Sequence, residues 1–326
     1  MKNFLKKVGL FTLIIIGINQ VVIFFYEKPL RQSIANNTNM RSIKWNDVRN
    51  PTNKYDIIIL GSSRGYSAYN PLILDSILKK NSYNMCTGSQ DIIESYYILK
   101  DILKSQKPRH IIYDIFLPSF KDNTDFYLVF ANARFMTNSG KYNMLFKGYG
   151  IESVVNLLMP IIRDRTYLQI DLLNFIPNKI RSKKGKEIQK KENWIKGYYY
   201  DNHVVDSASI RNFTEVFNFT NTKVSEKKVD KYFTKLIELC NKNDIKLVCV
   251  RAPYPPSRWK INPSDTVKNY FNAVCKNKNV QFYDFNYIDD SRFKYYDADF
   301  SDYHHLNYLG ANKSSVQLSG LLLMNE

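Results

Sequence analysis

Closely spaced thiols are absent from this sequence. Its four cysteines, Cys86, Cys240, Cys249 and Cys275, form no CxxC pair, which argues against a zinc site built on clustered thiolates. Histidine is equally sparse: four residues, His110, His203, His304 and His305, supply whatever imidazole chemistry the chain has near neutral pH. Acidic residues are outnumbered, 30 Asp and Glu against 47 Lys and Arg, giving a formal net charge of +17. No internal repeat is present. A charge of that sign suits nucleic acid, an anionic surface such as phospholipid heads or acidic wall polymer, or a merely Lys-rich composition. No base-stacking or groove-reading motif accompanies the charge, so nucleic acid is set aside as a partner.

What the chain does have begins at the N-terminus. Val8 to Tyr26 is an uncharged run of the length that crosses a bilayer core as a helix. Lys2, Lys6 and Lys7 precede it, which favours a cytoplasmic N-terminus and places everything downstream outside. A cleaved signal peptide competes with this reading, but the run is long for a signal core, and Glu27, Lys28 and Pro29 follow where small residues would mark a cleavage site. The expectation is a single-pass cell-membrane anchor over residues 1–26, a polar linker over 27–53, and one extracytoplasmic domain over 54–326.

The length of 326 residues suits one large domain with an insertion. Tyr55–Leu60 is a short Ile-rich run, as in a strand buried on both faces. Pro71–Lys80 has helical spacing, Tyr83–Cys86 reads as a second strand, Asp91–Ser105 as an amphipathic helix, and Arg109–Phe116 as a third strand. The alternation resumes with a helix over Ser225–Asn243, a strand over Ile245–Arg251, a helix over Ser264–Lys278, a strand over Val280–Phe285 and a closing helix over Tyr308–Leu323. This pattern implies an α/β fold: a parallel five-stranded sheet, helices on both sides, with ligands beyond the carboxyl ends of the strands. Residues 117–224 interrupt it as one long insertion, with a helix-like run near Ile151–Ile162 and a basic segment at Lys179–Lys191 expected to be exposed.

Three motifs carry chemistry. Leu60-Gly61-Ser62-Ser63-Arg64-Gly65 directly follows the first strand, so a hydroxyl falls at the carboxyl edge of the sheet, where backbone N–H groups can face a developing oxyanion. Such turns also bind phosphate or simply connect elements. Asp302-Tyr303-His304-His305 lies just before the closing helix. A serine nucleophile needs a base, and the base needs an acceptor to fix its tautomer; Asp302 can reach His305 three residues on. His304 is the rival base. Gly88, after the second strand, allows a close backbone approach to a substrate oxygen.

Together these residues resemble the SGNH/GDSL hydrolase superfamily. Gly61-Ser62-Ser63 matches the Gly-Asp-Ser block with Ser62 in place of Asp, Gly88 matches the second-block glycine, and Asp302-x-x-His305 matches the last block. The resemblance covers residues 55–116 and 225–323 and implies a flavodoxin-like three-layer sandwich with the first strand in the middle. It implies Ser63 as nucleophile, His305 as base, Asp302 as its orienting acid, and the N–H groups of Ser63 and Gly88 as the oxyanion hole. The third-block Asn is missing after Tyr113-Asp114, with Asn132 as the candidate substitute.

Arg64 and Tyr254 are the candidate substrate-binding residues; Tyr254 and Trp259 could stack on sugar rings, or serve only as core or rim. No metal or cofactor is expected. The combination of anchor, external domain and Asn-poor third block looks like the proteins of cell-envelope acylation, which implies an esterase or O-acyltransferase acting on an envelope glycan. The resemblance also implies an envelope glycan or acyl donor as ligand and a multi-pass membrane acyltransferase as partner. The alternative is a scaffold subunit that keeps the fold without the chemistry.

Overall fold

The computed structural model of the chain describes residues 1–36, 38–120, 124–159, 163, 193–206, 208–210, 227, 229–261, 265–287 and 291–324. The basic segment 179–191 lies outside the described residues, as does 160–162 of the helix-like run; Ile151–Leu158 is helical.

Seven strands occur among the described residues: β1 (Ile57–Leu60), β2 (Ser82–Asn84), β3 (His110–Asp114), β4 (Trp194–Ile195), β5 (Tyr198–Tyr199), β6 (Lys246–Arg251) and β7 (Gln281–Asp284). All four residues of β1 are buried, as expected where helices cover both faces of a sheet. Five strands form one parallel sheet in the order β2-β1-β3-β6-β7, the flavodoxin-like arrangement; β4 and β5 pair antiparallel as a separate hairpin. The middle strand is β3, and β1 lies between β2 and β3, which corrects the expectation of a central first strand. Periodicity yields the number and sequence of strands, whereas their order depends on which way each crossover turns. Here the chain winds outward from β1 to β2, then steps over β1 to β3. That reversal opens a crevice at the carboxyl ends of β1 and β3, where this class of sheet binds ligands.

The helices that hold this sheet are stopped and started by local chemistry. Asn70 caps Pro71–Leu78 through Leu72 N–H. Asp91 caps Ile92–Ile102 in a reciprocal pair with Glu94. Asn307 caps the closing helix Tyr308–Leu323 through Leu309 and Gly310 N–H. The closing helix buries Leu318 and Leu322 with Ile57, Ile59, Leu74 and Val248 in one apolar core.

Two compact units are present. One comprises Met1–Ile43 and Asp125–Gln189, the other Lys44–Thr124 and Lys190–Glu326, so the division falls inside both the expected linker and the expected insertion. Residues 27–53 carry two helices, Lys28–Ala35 and Met40–Arg49. In the sheet unit Lys44, Trp45 and Val48 are buried, and Gln106 Nε2 donates to Val48 O (2.8 Å) and Asn53 O (3.0 Å). Their apolar spacing is only one turn long, too short to show as periodicity in a polar stretch. In the other unit the helix Lys2–Tyr26 is the one among the described residues long and apolar enough to cross a membrane.

Candidate active site

The turn after β1 is built around Gly61 and Ser62. Gly61 has φ +147°, and a Cβ there would lie 2.9 Å from Asp114 Cβ, so the neighbouring end of β3 leaves room for glycine alone. Ser62 is buried, and its hydroxyl caps the helix Ser63–Ala68 by accepting Arg64 N–H at 3.3 Å. Ser63 is therefore the first helical residue, half-buried at the carboxyl end of β1.

His305 comes to this serine from 242 residues away, its Nε2 standing 2.9 Å from Ser63 Oγ. Its other ring nitrogen, Nδ1, lies 2.6 Å from Asp302 Oδ2. The second oxygen of Asp302 accepts the backbone N–H of His304 (2.8 Å) and of His305 (2.7 Å), so one carboxylate fixes both the loop and the ring. A bridge between Phe300 and Leu306 closes this loop at its base, and Arg258 Nη1 donates to Tyr303 O at 2.7 Å. Burial opposes ionisation of Asp302, but the hydrogen bond and charge of His305, with help from His304, outweigh it and hold the carboxyl well below its usual range. The rival His304 is held well below the ordinary histidine value, first by burial and then by repulsion from His305. Its ring packs between Tyr303 (4.1 Å) and His305 (3.8 Å) and faces Phe116 at 6.3 Å. Of the two histidines, His305 alone has the serine at one nitrogen and the acid at the other.

Ser63 and Gly88 carry the two backbone N–H groups expected to face an oxyanion. Ser63 N–H belongs to the first helical turn, which has no intrahelical acceptor. Gly88 follows β2 on a turn stitched to the Ser63 turn by Thr87 N–H, which donates to Gly61 O at 3.1 Å. From beneath, Lys44 Nζ donates to Cys86 O at 2.5 Å. The stretch after β3 where the third-block Asn would fall reads Ile115-Phe116-Leu117-Pro118, with no side-chain amide. Asn132 belongs to the other compact unit, where it is buried and accepts Arg41 Nε at 2.7 Å.

Arg64 is used differently from the expectation that it meets substrate, and Tyr254 lies against it with part of its ring exposed. Arg64 is buried, its Nη2 donating to Ala252 O (2.6 Å) and Pro253 O (2.7 Å). Its guanidinium lies 3.7 Å from the centre of the Tyr254 ring, with those of Arg258 at 4.6 Å and Arg251 at 5.4 Å. Trp259 stacks alongside at 5.9 Å, and both rings remain half-buried. Burial favours the neutral phenol of Tyr254, and the three guanidiniums overcome that, holding it below its ordinary value. Close by, buried Asp114 accepts Tyr69 O–H (3.0 Å) and Ala252 N–H (3.2 Å); burial pushes its carboxyl up.

Three residues beside the site escaped sequence reasoning. Tyr66 stacks parallel to His305 at 6.2 Å; its place one turn after Ser63 was a local signal. Trp194 and Tyr199, from the β4–β5 hairpin, meet Tyr66 at 5.2 and 6.2 Å, and no spacing in the sequence ties them to it. All three are half-buried, so each keeps some exposed surface, Tyr66 beside His305 and the other two beside Tyr66.

Asp302, His304 and His305 each offer a metal-ligand atom, all within 4.8 Å of one another. An ion on that set would compete with the 2.6 Å contact between Asp302 and His305, so the same atoms serve either the hydrogen-bond chain or a metal. The four cysteines are all free and buried, as small core residues.

Set beside known proteins, the chain is similar to three solved structures. One is a lipolytic protein of the G-D-S-L family from Desulfitobacterium hafniense, 12% identical, with TM-score 0.39, covering 81% of this chain and 98% of that one. Another is an acylhydrolase from Bacteroides fragilis, 9% identical, with TM-score 0.42, covering 88% and 98%. The third is a GDSL-like lipase from Bacteroides thetaiotaomicron, 8% identical, with TM-score 0.41, covering 88% and 100%. A protein-family model bearing no functional description matches residues 209–324. Among curated proteins, none matches this sequence. In motif order and strand order the chain resembles the SGNH/GDSL superfamily, and the geometry around Ser63 carries the functional reading by itself.

Proposed function

We propose that this chain is a serine esterase or O-acyltransferase that works outside the cytoplasm on acyl esters of a cell-surface polysaccharide or related envelope polymer. The observation that carries the reading is the unbroken chain from Ser63 Oγ through His305 to Asp302, at 2.9 and 2.6 Å, at the carboxyl end of β1. Ser63 Oγ attacks the acyl carbon while His305 Nε2 takes its proton. The N–H groups of Ser63 and Gly88 receive the oxyanion. Asp302, ionised, keeps Nδ1 protonated and stabilises the imidazolium. As the tetrahedral intermediate collapses, His305 returns the proton to the departing alkoxide and the acyl group stays on Ser63. In the second half-reaction His305 deprotonates the acceptor, which is water in an esterase and a sugar hydroxyl in a transferase.

The half-buried rings of Tyr66, beside His305, and of Trp194 and Tyr199, beside Tyr66, favour a flat, weakly polar acceptor such as a sugar ring over a small soluble ester. Lys44 Nζ, 5.1 Å from the Trp194 ring, disfavours a cationic one. Export rests on the apolar helix Lys2–Tyr26 and the lysines that precede its uncharged run. A multi-pass membrane acyltransferase is the proposed donor partner, by resemblance to envelope acylation proteins. The scaffold alternative draws on one observation, the absence of an Asn after β3 to serve as a side-chain oxyanion donor, whose loss costs about 100- to 1,000-fold in comparable sites.

A fluorophosphonate probe separates the two readings. Covalent labelling of the wild type, lost in Ser63→Ala and kept in Ser62→Ala, is the expected result. A wild type that takes no label and hydrolyses no activated ester sinks the enzyme reading and leaves the scaffold.

A further inference from the structure

The unit that contains the apolar N-terminal helix exposes a second apolar surface. In the helix Ile151–Leu158, Ile151, Val155 and Leu158 recur at helical spacing along one face and are 78%, 46% and 44% exposed. Phe146, in the wider helical turn Met144–Tyr149, is 47% exposed, with Tyr142 stacked on it at 5.9 Å. This is a genuine outer face, because the inner one is fastened within the unit. Met144, Leu145 and Ser153 are buried, and Ser153 Oγ donates to Leu145 O (2.7 Å) and Gly150 O (2.8 Å). Isolated exposed apolar residues are ordinary on soluble proteins; a contiguous set on one helix face is not.

The occupant of that face is indicated by what lies next to it. Gln20 Nε2, in the N-terminal helix, donates to Leu158 O at 3.4 Å. Gln20 is six residues before the end of that helix at Tyr26, which is about 9 Å along its axis at the usual rise per residue. The end of the helix is marked by a polar layer: Glu27 pairs with Arg134 at 2.9 Å and with Arg163 at 3.6 Å. Leu158 thus sits on the apolar side of that layer, at the roughly 5–10 Å depth to which an in-plane amphipathic helix sinks its apolar face. Lys141 and Lys147 flank the patch, with Lys141 Nζ 4.8 Å from the Tyr142 ring, the arrangement in which long basic side chains reach from apolar surface toward anionic headgroups.

We propose that Tyr142–Leu158 is a second membrane contact, the helix face of Ile151, Val155 and Leu158, with exposed Phe146 from the preceding turn, lying in the interfacial layer of the bilayer beside the N-terminal helix and in contact with lipid. The proposal rests on Lys2–Tyr26 being a membrane span. The combination of a narrow apolar face and basic flanks beside the span favours lipid over a protein partner.

The test uses the full chain, with its four buried cysteines retained, reconstituted into vesicles of mixed neutral and anionic phospholipid. Single cysteines at Val155, Phe146, Phe11 and Leu72 are labelled with an environment-sensitive fluorophore and quenched by brominated lipid or by aqueous iodide. Phe11 reports the span, and Leu72 is an exposed apolar position in the sheet unit. Expected is loss of fluorescence to brominated lipid at 155, 146 and 11, and to iodide at 72. Iodide quenching at 155 and 146 with lipid quenching at 11 overturns the proposal and leaves the span intact. Iodide quenching at 11 overturns the span itself. Protection of 155 from both quenchers also overturns the proposal, in favour of a protein-covered face.

Discussion

On one side of the turn at Ser63 the groups are half-buried and joined by hydrogen bonds: Ser63, His305 and Asp302, with Tyr66 stacked on the imidazole. On the other side buried Arg64 meets the half-buried Tyr254 ring in a cation–ring contact and donates to the carbonyls of residues 252 and 253. Ser63 and Arg64 are neighbours on one helical turn, yet one faces the crevice and the other the core. Successive helical residues point about 100° apart, so adjacency to a nucleophile does not imply contact with its substrate. The hydrogen-bonded side has the features of chemistry, and the cation–ring side has the features of a brace that holds the turn in place.

Substitutions on the two sides should separate chemistry from stability. Ser63→Ala and His305→Ala should each lower turnover of p-nitrophenyl acetate by about 1,000-fold or more, with the double variant no worse than either, because residues that act as a unit are non-additive. Unchanged turnover in both variants, measured against a competent wild type, removes the triad. Asp302→Ala should cost about 10- to 100-fold less than these, since it orients and stabilises the imidazole without exchanging protons with substrate. The same residue has a pH signature. A carboxyl held below its ordinary value adds stability that is present above about pH 4 and is lost as pH falls from there toward the folded value. Thermal unfolding of Asp302→Asn should therefore lose part of the acid-side slope of the wild type; identical acid limbs would contradict the assignment.

Arg64→Met should act in the opposite sense, costing about 2–4 kcal/mol of stability by denaturant unfolding while kcat/KM of the folded protein falls less than about tenfold. A large kcat/KM loss at unchanged stability would return Arg64 to the substrate. Trp194→Ala should raise KM for a glycan ester severalfold and leave kcat on a small ester unaltered, which initial-rate kinetics on the two substrates will read. Ser62→Ala is the smallest: loss of one N-cap, about 1 kcal/mol, with label and turnover retained.

Much of this was legible in the residues. The Ile-rich run of β1 announced a strand buried on both faces, and the closing helix was read at its observed bounds, Tyr308–Leu323. The Asp302 and His305 spacing was readable because a three-residue separation lets one carboxylate meet both the loop N–H groups and the ring. Lys44 was hidden in a stretch read as linker, because its hydrogen-bond partner Cys86 O is supplied by a distant turn. Trp194 and Tyr199 were hidden for the same reason: a two-residue strand leaves no period to detect.

The sequence by itself determined the five strands of the parallel sheet, where a glycine frees the turn before Ser63, and which histidine has an acid at the right spacing. These properties arise from interactions within a few residues, where covalent geometry limits the choices. Tertiary structure alone decided the strand order that puts β1 beside β3, the meeting of His305 with Ser63, and the meeting of Tyr254 with three guanidiniums. Crossover direction and side-chain packing bring together positions with no covalent relation, and no local pattern encodes their separation in space.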